Sequence, residues 1–370
     1  MNTPGMVDWT VALGTAKKLV KAGPEISREG AAEAVAALRR AAVEAEDYVQ
    51  QVTGLRTPSA TAPVLVVDRP GWIQANVDAF RDILSPLQAK HTQALGDSSM
   101  AGFGATVTGM ELGALLSYLA PKILGQFDPF YPGAPDGPGG RLLLIAPNVV
   151  AIERELHLDP ADFRLWVCLH EETHRVQFTA VPWLRGYMKQ QISEVVAETE
   201  LDGAALLSML REGARKLAHS FRGDQELSII DLVQTPSQRE TVDRITAVMS
   251  LLEGHADVVM DSVGPDVIGT IATIRNKFDI RRQGQGFDKI IRRLLGLDAK
   301  MRQYRDGAEF CRQVIAKVGM HGLNHVWISP ETLPSRAEIK DPSAWVQRVH
   351  GTTAAVPAGP EDTNEWRAEN

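Results

Sequence analysis

The chain has only two cysteines, Cys168 and Cys311, too few for a disulfide framework. It contains no run of eighteen or more apolar residues, which excludes a hydrophobic helix of membrane-spanning length. The opening Met1-Asn-Thr-Pro-Gly carries no basic residue and no apolar stretch follows it, so no secretory signal is expected. An excess of positive charge is missing too. With 39 Lys and Arg against 46 Asp and Glu, the net charge of −7 argues against wholesale binding of nucleic acid or membrane. The expectation from these absences is a cytoplasmic protein, and its 44% hydrophobic residues suffice for a sizeable core.

What is present is a single chemically loaded stretch, Leu165-Trp-Val-Cys-Leu-His-Glu-Glu-Thr-His-Arg-Val-Gln-Phe178. It contains His170-Glu171-x-x-His174, a spacing used by zinc hydrolases. On an α-helix, positions i and i+4 share a face, so two imidazoles can reach one ion. Glu171 borders the same face, within reach of a water that the ion would activate. The local signals predict the helix this reading needs. Asp159-Pro160 offers a cap and a proline for the first turn; Phe163, Trp166, Val167, His170, His174 and Gln177 follow at helical spacing, and Pro182 ends the run. Cys168 falls about 200° round that helix from His170, which places it in the core behind the site.

Before this stretch, residues 7–21 read as a helix stopped by Gly23-Pro24, and Ser27 caps a long Ala/Glu-rich helix closed by Gly54. Pro63–Val67 reads as a strand, with a helix from Asp68 to about Leu84. Gly102, Gly104, Gly109 and Gly113 invite a phosphate-loop reading, but no strand precedes them and no Lys-Ser/Thr follows. They are better explained as small residues that let a buried helix, Met110–Leu119, pack closely. Phe127–Gly140 reads as a loop, Arg141–Ala146 as a strand and Val149–Ile152 as a second extended segment. The strand at Leu142–Ala146 is expected to be a sheet edge able to pair with an extended peptide. After Pro182 the pattern is almost wholly helical, with helices expected near 186–217, 237–263, 265–278 and 288–318.

A catalytic zinc needs three protein ligands and an open position. No histidine stands five residues beyond His174, so a glutamate on a later helix must complete the set. Two compete. Glu194 has a suitable interval, but Lys189, Gln190 and Gln191 suggest a wet helix. Glu253 lies in Leu251-Leu-Glu-Gly-His-Ala-Asp257, where Gly254 and Ala256 would let the helix approach the metal helix closely. Asp257, one turn on, could accept a hydrogen bond from the free ring nitrogen of a ligating histidine. Glu253 is therefore preferred.

The stretch Leu165–Phe178, the following Thr179-Ala-Val-Pro-Trp183, Leu251–Asp257 and Lys300-Met-Arg-Gln-Tyr304 together resemble a bacterial family of zincin-like metallopeptidases. Members often carry labels as hydrolases associated with biosynthesis of a deazaflavin cofactor. The resemblance runs from Val7 to Trp345. It implies a zincin fold, zinc at His170 and His174, and the Glu-Gly-His-Ala-Asp segment as source of the third ligand. It names no substrate.

An oxyanion donor would have to come from His255, His219, His321, His325 or Tyr304. His255 points about 200° from Glu253 on the same helix and is not expected to serve the metal directly. Residues 275–305 are basic, with ten Lys and Arg against three Asp, but aromatic residues are sparse there and a solvated face explains the charge. The expected fold class is α+β, mainly helical, zincin-like, with a small sheet preceding the metal-binding helix. One domain should span 1–350, with a helical part to about 140 and the metal-site part after it; 351–370 should be a disordered tail. The expected activity is gluzincin-type hydrolysis of a peptide or small amide, with Zn2+ on His170, His174 and Glu253 and Glu171 as general base. A scaffold that keeps the metal without peptidase activity is the rival.

Overall fold

Four consecutive apolar residues, Leu142 to Ile145, suit a strand buried on both faces. In the computed structural model, which describes residues 6–58, 62–95, 99–133, 139–198, 236–284 and 297–351, they form the middle of a three-stranded sheet. Strand β1 (Val64–Val67) runs parallel to β3 (Arg141–Ile145), with Val64 opposite Leu142. Strand β2 (Gly125–Asp128) runs antiparallel on the other side, with Gly125 opposite Leu144. Alternate residues of β3 feed different cores: Leu144 packs into one, Leu143 and Ile145 into another.

The second of these cores is closed by α1 (Trp9–Leu19), α3 (Arg69–Leu95) and α4 (Ser99–Leu119). Here the small-residue reading holds. A Cβ on Gly109 would overlap the Asp8 carbonyl and one on Gly113 the Ala12 carbonyl, so α1 and α4 meet backbone to backbone. The first core lies between α2 (Arg28–Thr53), α5 (Ala146–Glu155), α6 (Pro160–Ala180), α8 (Pro236–Val263) and α9 (Ile271–Gly284), the numbering counting α7 (Pro182–Glu198) before α8. A third core joins α7 and α8 to α10 (Leu297–Leu323), α11 (Arg336–Lys340) and α12 (Pro342–His350) around Phe310, Trp327 and Trp345. The architecture is mainly helical α+β, with the small sheet ahead of the metal helix. No described helix is long and apolar enough to cross a membrane.

Three expectations are corrected. Val149–Ile152 is helical, within α5: Pro147 sits in its first turn, and Asn148 donates to the carbonyls of Ala120 and Ile123, both at 2.6 Å. The strand read as the edge, β3, is central and paired on both sides; the edges are β1 and β2, and β2 lies inside a stretch read partly as loop. Gly254, expected to ease the approach of α8 to α6, serves the contact with α10. A Cβ there would overlap the backbone of Gly307 and Ala308 on α10, and one on Gly307 would overlap Ser250 on α8. The expected tail, from residue 352 on, lies outside the described residues, as does His219.

Candidate metal centre

Helix α6 starts where the sequence says it should. The Asp159 carboxylate accepts from the backbone N–H groups of Ala161 and Asp162 at 2.9 and 3.0 Å, and Pro160 fills the first turn. Asp162 in turn accepts from Thr270 N and Oγ1 at 2.8 and 2.6 Å, tying the helix start to the approach to α9. One face of α6 is held down by a buried ionic cluster. Arg175 donates to Glu172 at 2.5 Å, to Glu46 of α2 at 2.7 Å and to the Ala62 carbonyl at 2.9 Å. Burial raises Glu172 to about 7, against the pull of Arg175. Cys168 is fully buried on the α2 side, where its thiol faces the Leu38 carbonyl, and burial raises its pKa well above the ordinary thiol value.

The other face carries His170 and His174, one turn apart, with their Nε2 atoms 3.3 Å from each other. Glu253, from the middle of α8, brings Oε2 to 3.6 Å from His170 Nε2 and 3.8 Å from His174 Nε2. Four donors around a zinc ion at about 2.0–2.1 Å would stand about 3.3–3.4 Å apart along each edge of the tetrahedron. Two imidazole nitrogens and a carboxylate oxygen at these separations fit one such ion. Among the described residues this is also the one group of three or more His, Cys, Asp or Glu compact enough to hold a metal. The His170 side chain is 34% exposed against 13% for His174, so the open side of the centre is at His170.

Glu171 is buried between the two histidines in sequence and packs against β2. A Cβ on Gly125 would lie 2.6 Å from Glu171 Cδ and 2.7 Å from its Oε1, so only glycine leaves the carboxyl its place. Burial first, then the charges of Glu253 and Glu172, push its pKa well above the carboxylate range.

The remaining sequence candidates are placed as follows. Glu194 is on α7, with its carboxylate shared among Gln190, Gln191 and Arg244, and is not brought to the histidines. Asp257 is not the acceptor for His174; its two oxygens are taken by Arg275 at 3.1 Å and Arg312 at 2.7 Å, guanidiniums from α9 and α10 that claim this face of α8. His174 Nδ1 meets Gln177 Oε1 instead, at 3.0 Å. Sequence reading placed Gln177 on the helical stripe but gave it no task; its position one turn after His174 was the available signal. His321 and His325 group with His350 through ring contacts of 6.0 and 4.4 Å, and neither belongs to the three-residue cluster. His255 is buried inside the third core against Trp327, and the Tyr304 side chain is outside the described ones.

The profile of the zincin-like metallopeptidase family matches residues 7–346, and the chain belongs to that family. A candidate hydrolase with a novel fold from Chloroflexus aurantiacus, known as a crystal structure, is similar at 29% identity and a TM-score of 0.67. The likeness covers 93% of this chain and 99% of that one. No protein of curated function matches.

Proposed function

We propose that this protein is a zinc-dependent amide hydrolase acting on peptides. The reading rests on one observation: two imidazoles and a carboxylate are spaced for a single ion, with a second, buried carboxyl group next to them on α6. Family membership and the hydrolase description of the similar structure support it.

His170, His174 and Glu253 would hold the ion. Zinc bound there supplies Lewis acidity, which polarises a substrate carbonyl and makes water a usable nucleophile near neutral pH. Glu171 takes a proton from the attacking water onto its carboxylate and passes it to the departing amine nitrogen as the C–N bond breaks. The substrate backbone would run along β2, whose outer side pairs with no strand among the described residues. Gly125 brings that strand directly against Glu171, which aligns a peptide on β2 with the proton carrier.

The test is incubation of the purified, zinc-loaded protein with a diverse peptide library, with products read by mass spectrometry. Cleavage abolished by a chelator and restored by zinc is the expected result. A protein that retains zinc stoichiometrically yet cleaves nothing would overturn the peptidase reading in favour of a metal-bearing scaffold.

A further inference from the structure

Gln177 is fully buried between α6 and α8, and its amide has three partners. Its Oε1 lies 3.0 Å from His174 Nδ1, while its Nε2 lies 3.1 Å from the Leu252 carbonyl and 2.9 Å from His255 Nδ1. The Leu252 carbonyl can only accept, so it fixes which end of the amide faces α8: the NH2 group. The oxygen must then face His174. An amide oxygen also only accepts, which requires the proton of His174 to be on Nδ1 and leaves Nε2 with its lone pair bare. On the other side, both Gln177 hydrogens are given away, so His255 Nδ1 accepts and its ring proton is on Nε2.

From this we infer that Gln177 and His255 are positioning residues that hold His174 in the tautomer able to ligate a metal through Nε2. This inference rests on the proposed role of His174 as a ligand. The arrangement starts from a backbone carbonyl adjacent to Glu253, so the residue that presents the carboxylate ligand and the residue that orients the imidazole ligand are coupled through one peptide unit. Neither Gln177 nor His255 touches a reacting atom. Their contribution is a ring already turned and protonated as the metal requires, which removes the cost of selecting one of two neutral tautomers. His255 lies 78 residues beyond Gln177 in the chain, and its buried ring, packed edge-on against Trp327 at 5.5 Å, keeps the amide from rotating.

Two measurements test this. In metal-free protein labelled with 15N at histidine, long-range 1H–15N correlations should show His174 protonated at Nδ1 and bare at Nε2. Zinc affinity by competition with a chromophoric chelator should fall about 10- to 100-fold in Gln177→Met, which keeps the side-chain length and loses all three hydrogen bonds. Gln177→Glu keeps an acceptor for His174 and should preserve its Nδ1–H tautomer, a rescue that simple space-filling would not give. A His174 proton on Nε2 in the wild type, or a folded Gln177→Met with wild-type zinc affinity, overturns the inference. Should Gln177→Met fail to fold, the wild-type spectrum still decides. Cleavage does not enter either readout: tight zinc binding with the stated tautomer but no peptidase activity would overturn only the proposed function.

Discussion

Gly125 and Glu171 are packed so that the strand has no side chain where the helix has its buried carboxyl. This contact joins a sheet edge to the proposed proton carrier, and it makes Gly125 a position where one methyl group matters. Gly125→Ala should lower hydrolysis strongly while zinc content stays near stoichiometric, because Glu171 must swing or β2 must retreat. The overpacking should cost about 1–3 kcal/mol of stability. Metal analysis, steady-state kinetics and a denaturation curve check all three; full activity with an unchanged melting point would contradict the assignment.

Glu171 itself separates chemistry from binding. With Glu171→Gln, the shape and most of the packing persist but the proton carrier is gone. Hydrolysis should fall about 10²- to 10⁴-fold with zinc retained. A fully active variant would remove Glu171 from the mechanism.

The third ligand is decided by comparing two glutamates. Glu253→Ala should weaken zinc retention sharply, since it deletes one of three protein donors, whereas Glu194→Ala, remote and half exposed, should leave it near wild type. Competition with a chelator measures both. The reverse pattern would shift the ligand to α7.

His255 gives a pH signature. Burial, and secondarily the neighbouring His174, depress its pKa from 6.5 to about 3 in the folded chain. As pH falls below 6.5 the unfolded chain takes up a proton that the native chain refuses. The stability tied to neutral His255 is therefore present above pH 6.5 and is lost as pH drops toward 3. The loss is about 1.4 kcal/mol per pH unit once the unfolded histidine is charged. Urea unfolding at intervals from pH 7 to pH 5 should show a steeper loss for wild type than for His255→Phe, by one proton. Equal slopes would mean that His255 is charged in the native state.

The metal helix was legible because everything about it is local: a cap, a proline, a 3.6-residue stripe and a four-residue histidine interval lie within 21 residues. Glu253 was legible through its small and apolar neighbours, though for a partly mistaken reason, since Gly254 serves the contact with α10 rather than with α6. Of the two edge strands, β1 was legible as Pro63–Val67 but β2 was hidden. Gly125-Gln-Phe-Asp128 has neither β-branched residues nor alternation, and its strand character comes from pairing with β3. Val149–Ile152 misled in the opposite direction, since β-branched residues at the end of a strand run look extended until Pro147 is recognised as the first turn of a helix. Gln177 and Asp257 exchanged significance for the same reason: which polar side chain reaches a histidine depends on how helices from distant sequence cross.

The meeting of Gly254 with Gly307 puts bare backbone against bare backbone directly beside Glu253. Side-chain contacts can absorb a neighbour's change by switching rotamer, but two peptide chains in van der Waals contact have no such slack. The seat of α8 on α10, beside the proposed ligand Glu253, is thus gauged by a rigid spacer of fixed thickness. Substitutions scattered through the third core should be taken up by its large, adaptable side chains before they alter the separation of Glu253 from the histidines.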